Sequence, residues 1–215
     1  MKIFRTFIIL IIATFTIGLF GGSTQAAAPG KLNVGSNGGD VWDLQYRLKA
    51  LGLFNLELTG YYRTSTKSSV QNFQKTYGLQ VDGVSGPQTW QALKKYSLNQ
   101  SEMDILAKVI YSEARGESYK GQVAVGAVVL NRLQSDQFPD TIKDVVFQPR
   151  AFTAVDDGQY YLTPDRTAYL AAQDAVRGWD PTYGSLYYFN PETATSEWIW
   201  SRPQKIKIGN HIFAG

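Results

Sequence analysis

The chain has 215 residues, 44% of them hydrophobic and 18% charged, an ordinary globular composition that excludes large-scale disorder and leaves room for one domain or two small ones. With 21 basic residues against 18 acidic the formal charge is only +3, which gives no electrostatic footprint for nucleic acid. The absence of cysteine removes thiol nucleophiles and thiolate metal sites, and a lone histidine, His211, removes any multi-histidine zinc site, so no cofactor is expected.

Lys2 and Arg5 precede an uncharged apolar run from Phe7 to Phe20, and small residues follow at Ala26, Ala27 and Ala28. These are the three parts of a secretory signal peptide. The run is shorter than the roughly 20 apolar residues a bilayer crossing takes. Residues 1–28 therefore read as a cleaved export signal rather than an anchor, and the membrane is a partner only through that segment. Its loss leaves 19 basic residues against 18 acidic, a nearly neutral exported chain. Residues 29–34, small and rich in Gly and Pro, read as a linker.

Between residues 35 and 96 the apolar spacing predicts three short helices over one small core. Asp40 reads as the cap of a helix that carries Val41, Leu44, Leu48 and Leu51 and ends at Gly52. A second helix carries Val70, Phe73 and Tyr77 and ends at Gly78. Pro87 opens a third after Gly86, with Trp90 and Leu93 on one face. A weak internal echo pairs Thr59-Gly60-Tyr61-Tyr62 with Val81-Asp82-Gly83-Val84. On Asp40 to Leu51, Phe73-Gln74, Gly78-Leu79 and Asp82 through Thr89 the segment resembles the peptidoglycan-binding domain type 1 family, with Arg63 where a glycine is common. The resemblance implies a small all-α three-helix wall-binding domain; the plainer alternative is a helical bundle that only packs against its neighbour.

The second unit is read over residues 101–215. Ser101 reads as a helix cap with Asp104 reaching back to it, followed by the apolar stripe Ile105, Leu106, Val109 and Ile110. A second helix is expected from Tyr119 to Arg132, where Gly121, Ala124, Gly126 and Ala127 are small enough for close helix approach. A third is expected to start with Thr163 as cap and Pro164 in the first turn, and to run to Gly178. Leu186 to Phe189, Trp198 to Trp200 and Lys205 to Ile208 read as strands or extended loops, so the unit is α+β with its helices first. Asn131-Arg132 reads as a helix-end cap and ion pair.

Glu113 stands where an apolar helix meets a glycine-broken turn, in Tyr111-Ser112-Glu113-Ala114-Arg115-Gly116-Glu117. A carboxyl group half-buried beside apolar helices resists ionisation, as a general acid working near neutral pH requires. Protonation is what a glycosidic oxygen needs in order to leave. The same pattern also fits a solvated residue at a helix end. Glu117 reads as a charge near the start of the next helix, favoured there by the dipole. His211 has no visible partner and receives no catalytic role.

From Ala107 to the C-terminus the chain resembles the catalytic domain of spore cortex-lytic enzymes and related cell-wall hydrolases. The resemblance rests on Glu113 to Glu117, Gly121 to Arg132, Phe138-Pro139, Gln148-Pro149, Ala151 to Val155, Asp174-Ala175, Gly178 to Thr182, Asn190-Pro191 and Ile208 to Phe213. It implies a lysozyme-like fold and lytic transglycosylase activity on peptidoglycan glycan strands, with Glu113 as acid and then base. It further places Glu117, Gln122, Phe152, Thr153, Tyr188 and Asn190 along the sugar cleft, and implies cortex peptidoglycan as substrate with a regulatory partner protein. Asp156 and Asp157 stay open as a water-activating partner for plain hydrolysis. A muramoyl-peptide amidase is the enzymatic rival and a non-catalytic wall binder the other.

Overall fold

The computed structural model describes residues 29–156 and 158–215, apart from the side chain of Asp156, so the signal segment read over residues 1–28 and the carboxylates of Asp156 and Asp157 lie outside the described residues. Helices α1 (Gly39–Ala50), α2 (Thr64–Thr76) and α3 (Pro87–Tyr96) close over Val41, Leu44, Leu48, Val70, Phe73, Trp90 and Leu93, all at most 1% exposed. Gly38, not Asp40, is the cap of α1; Asp40 falls in the first turn, where its charge still favours the dipole. Pro87 opens α3 as expected, its missing N–H being one the helix start does not use.

Two buried glutamines explain the internal echo. In α1 the Gln45 amide donates to the Tyr61 carbonyl and to Thr66 Oγ1, both at 3.0 Å, and its oxygen accepts the N–H groups of Thr59 and Gly60. In α2 the Gln74 amide donates to Asp82 Oδ1 at 2.8 Å, the Val84 carbonyl at 3.0 Å and Thr89 Oγ1 at 3.2 Å, and accepts from Gly83 N at 2.9 Å. Each helix thus ties down the turn that leads into the next. The structure pairs Gly60 with Gly83 and Thr66 with Thr89, one residue off the pairing that the sequence suggests. Tyr62 joins the two copies by donating to the Gly83 carbonyl at 2.8 Å.

The chain then forms α4 (Gln100–Ala114), α5 (Tyr119–Gln134), the short α6 (Ile142–Val146) and α7 (Thr153–Asp156), and α8 (Arg166–Val176). Helix α5 is buried without a break from Gly121 to Leu130, with α4 and α8 packed on it. Gly126 makes this approach possible: a Cβ there would stand 2.8 Å from Ile110 Cδ1 and 3.3 Å from Ala175 Cβ. After α8 come β1 (Tyr187–Phe189), a one-turn helix α9 (Glu197–Trp200), β2 (Gln204–Ile208) and β3 (His211–Ala214). They form an antiparallel sheet in the order β1-β3-β2, with Tyr188 opposite Phe213. Phe213 and Ile208 lay the sheet on Ala124 and Val128 of α5, giving an α+β fold behind an all-α three-helix segment.

The two segments meet at Arg47. Its side chain, 2% exposed, pairs with Asp43 at 3.2 Å and Glu102 at 3.1 Å and donates to the Ser97 carbonyl at 2.9 Å. Glu102 also closes a capping box with Asn99, so α4 starts two residues earlier than a Ser101 cap predicts. Asp104 instead accepts from the Tyr169 hydroxyl at 3.1 Å. Helix α8 is capped by Asp165, which accepts from Ala168 N at 2.8 Å, rather than by Thr163; Pro164 lies ahead of the helix. Trp198 and Trp200 lie in α9, not in a strand, because three alternating residues carry too little pattern to separate a period of two from one helical turn.

Candidate active site

Glu113 sits in the last turn of α4, half-buried. Two donors from distant parts of the chain reach its carboxylate. The Ala154 N–H, at the head of α7, donates to Oε1 at 2.8 Å, and the Tyr188 hydroxyl, on β1, donates to Oε2 at 2.9 Å. Burial is therefore accompanied by two hydrogen bonds that fix the orientation of the carboxyl. Burial, and then the neighbouring Glu113 charge, push the Tyr188 phenol well above its ordinary value, so it stays a donor at any working pH. Exposed Arg115 flanks the carboxyl in sequence and is held by Gln159 at 2.7 Å. Exposed Thr153 precedes Ala154 at the start of α7, and Phe152 is buried behind it, its ring 6.5 Å from that of Tyr188.

The other candidate residues do not converge on Glu113. Glu117 is 8% exposed and turns to the β2–β3 hairpin, where it accepts from Asn210 N at 3.3 Å and Asn210 Nδ2 at 3.0 Å and faces His211 Nδ1 at 3.4 Å. Expected along the cleft, Glu117 has its carboxylate engaged by the hairpin. His211, read as partnerless, has Glu117 as its partner. Gly209 at the hairpin tip has φ +56°, and a Cβ there would fall on Glu117 Oε2. Gln122 is buried and its amide points at the Glu117 carbonyl, 3.4 Å away. Asn190 closes a turn of its own by accepting from Glu192 N at 2.9 Å.

Asn131 and Arg132 also differ from the cap and ion pair expected. The Asn131 amide donates to Asp180 Oδ2 at 3.1 Å and the Ser185 carbonyl at 3.0 Å, anchoring the turn before β1. Arg132, 7% exposed, has no carboxylate within 4.0 Å among the described residues and is instead surrounded by aromatic rings. Trp198 rests on Tyr187 and Arg202, and Trp200 on Phe189, both Trp residues remaining 42% exposed or more.

With the geometry set out, comparison with known proteins gives it a context. Residues 116–214 match the cell wall hydrolase family and residues 37–93 the peptidoglycan binding domain family. The spore cortex-lytic enzyme of Bacillus cereus is 44% identical over 217 aligned positions that cover 83% of this chain and 84% of its own length. The chain belongs to the spore cortex-lytic enzyme family. Its Bacillus subtilis member is 34% identical across 95% of this chain and 96% of its own. The crystal structure of the catalytic domain of the B. cereus SleB protein is 60% identical, covers 54% of this chain and 91% of that one, and superposes with a TM-score of 0.53. The catalytic domain of the germination-specific lytic transglycosylase SleB of Bacillus anthracis is 59% identical, covers 55% and 97%, and gives the same TM-score. Glu113 precedes the stretch matched to the cell wall hydrolase family, whereas Glu117, Tyr188 and Asn190 lie inside it.

In this member of the spore cortex-lytic enzyme family, sequence reasoning missed the Ala154 partner of Glu113 and the Asn210 and His211 partners of Glu117. The Ala154 donor is a backbone group, which no residue type announces. The Asn210–Glu117 contact spans most of the second unit, and only the pairing of acid and amide hints at it.

Proposed function

We propose that the protein is a peptidoglycan lytic transglycosylase that cleaves the bond between N-acetylmuramic acid and N-acetylglucosamine in spore cortex during germination. The observation that carries this reading is Glu113: a half-buried carboxyl at a helix end, oriented by two donors that leave it further hydrogen-bonding capacity. Family membership supports the same chemistry, as does the relative described as a germination-specific lytic transglycosylase.

In this reaction protonated Glu113 gives its proton to the glycosidic oxygen while the bond from the muramic anomeric carbon to that oxygen breaks. The resulting carboxylate takes the proton from the muramic C6 hydroxyl as that oxygen bonds to the anomeric carbon. A 1,6-anhydro end forms, Glu113 regains its acid form, and no water is consumed. The substrate brings its own nucleophile, so a single carboxyl suffices. Tyr188 and the Ala154 N–H steady the carboxylate between the two proton transfers.

The wider reading assigns residues 1–28 to export, 29–34 to a linker, 35–96 to wall binding and 101–215 to cutting. Exposed Thr153 lines the glycan cleft beside Glu113, with buried Phe152 supporting it from behind. A regulatory partner protein belongs to it as well, since an enzyme able to open its own cell's wall needs restraint until germination. Digestion of purified spore cortex and of vegetative wall, followed by mass spectrometry of the fragments, tests the reaction. Anhydro-ended muropeptides, released faster from cortex, are expected. Reducing muramic ends would make the enzyme a hydrolase, and release of peptides alone would make it an amidase.

A further inference from the structure

The guanidinium of Arg132 lies 5.0 Å from the ring centre of Phe152, 5.2 Å from that of Phe138 and 5.6 Å from that of Tyr187. Its Nε donates to the Leu186 carbonyl at 2.7 Å. A buried cation without a carboxylate partner is expensive, and aromatic faces recover only part of the hydration it gives up. Such an arrangement persists when the charge serves another group. Burial pulls the Arg132 guanidinium below its ordinary range, and Tyr188, Tyr187 and Glu113 pull it back, so Glu113 is within its electrostatic reach.

What Arg132 holds is specific. Phe152 lies two residues before Ala154, and Leu186 and Tyr187 lie immediately before Tyr188. Those are the two segments whose N–H and O–H groups grip Glu113 from opposite sides. One planar side chain on α5 therefore joins both segments, its Nε–H fixing the entry to β1 and its guanidinium lying over the Phe152 ring.

We propose that Arg132 is a positioning residue for Glu113, clamping the Ala154 and Tyr188 donors in register. The proposal rests on the reading of Glu113 as the acid. Arg132 is too buried to contact a glycan strand, so its effect falls on turnover and not on substrate binding.

The test uses the full exported chain on soluble glycan strands prepared from cortex, with the variants Arg132→Lys, Tyr188→Phe, the double variant, and Arg132→Met. Arg132→Lys keeps a charge on an aliphatic stem but loses the fork and the planar face. It is expected to remain folded, with kcat down about tenfold and KM within about twofold. The double variant is expected to turn over within about threefold of the slower single variant, because both substitutions release the same carboxylate. Arg132→Met, where it folds, is expected to lose kcat about a hundredfold. Parental kcat in Arg132→Lys, or losses that multiply in the double variant, would overturn the proposal. Full activity in Glu113→Gln would instead overturn the reading of the acid, so the two failures are distinguishable.

Discussion

Gln74 and Glu113 occupy comparable places: each stands in the last turn of its helix and reaches across to a loop from another part of its unit. Gln74 is neutral and 1% exposed, and both ends of its amide are taken by the turn ahead of α3. Glu113 is half-buried, and each of its oxygens holds one donor with capacity to spare. A polar group that is fully satisfied inside the protein holds the fold, while one held in place but left incomplete is available for chemistry. Glu117, four residues on, falls on the structural side of that line despite being a carboxylate, since Asn210 and His211 occupy it.

The largest effect expected on the structural side comes from Gln74→Leu. It strands the Gly83 N–H and removes partners from Asp82, Val84 and Thr89, and each unsatisfied buried group costs about 1–3 kcal/mol. Urea denaturation should show a loss of about 3 kcal/mol, while kcat on short soluble glycans stays within about twofold. Tyr188→Phe should behave in the opposite way. Losing one hydrogen bond to a charged group, about 1.5 kcal/mol, should lower kcat about tenfold at nearly unchanged stability, read by steady-state kinetics and thermal melting on the same samples. Glu117→Gln keeps an acceptor for Asn210 but loses the charge facing His211, and should lower stability by about 1 kcal/mol with kcat little changed. A kcat loss larger than that of Tyr188→Phe would move Glu117 to the catalytic side.

The smallest effect is read from the dependence of stability on pH. Burial works against the Asp180 carboxylate, but the Thr182 hydroxyl, the Asn131 amide and the backbone N–H groups of Thr182 and Gly184 outweigh it and hold the group below its ordinary value of 3.8. In the first unit Asp82 is lowered likewise, chiefly by the Gln74 amide and then by Val84 N–H. A group depressed in the folded state contributes stability that is present above its unfolded value and lost as pH falls through its folded one. Asp180→Asn should therefore lower stability modestly at neutral pH and flatten its fall below about pH 4, so that variant and parent converge in acid, as denaturation at a series of pH values would show.

Much of the helical framework is legible in the sequence because glycine and proline punctuate it: Gly52, Gly78 and Pro87 mark ends that the structure keeps near those positions. Caps are less legible. Asn99…Glu102 and Ser101…Asp104 offer competing boxes, and the buried Arg47, which needs Glu102 as its partner, favours the first. Strand β3 is invisible by pattern, since four residues after a glycine turn carry too little alternation. Glu113 is legible as a carboxyl at a broken helix end, and its place beside Tyr188 follows only from the pairing of β1 with β3 over α5. Arg132 reads as a helix-end charge because nothing local announces three rings gathered from Phe138, Phe152 and Tyr187.

The assignment of the acid is tested most directly by comparing the full chain with its Glu113→Gln variant on purified cortex, with fragments identified by mass spectrometry and folding checked by circular dichroism. The amide oxygen can still accept from the Ala154 N–H while its NH2 donates to the Tyr188 oxygen, but it has no acidic proton to give, so anhydro-ended muropeptides should fall by about 10²–10⁴-fold in a folded protein that still binds the wall. Undiminished release of the same fragments by the variant would contradict the account.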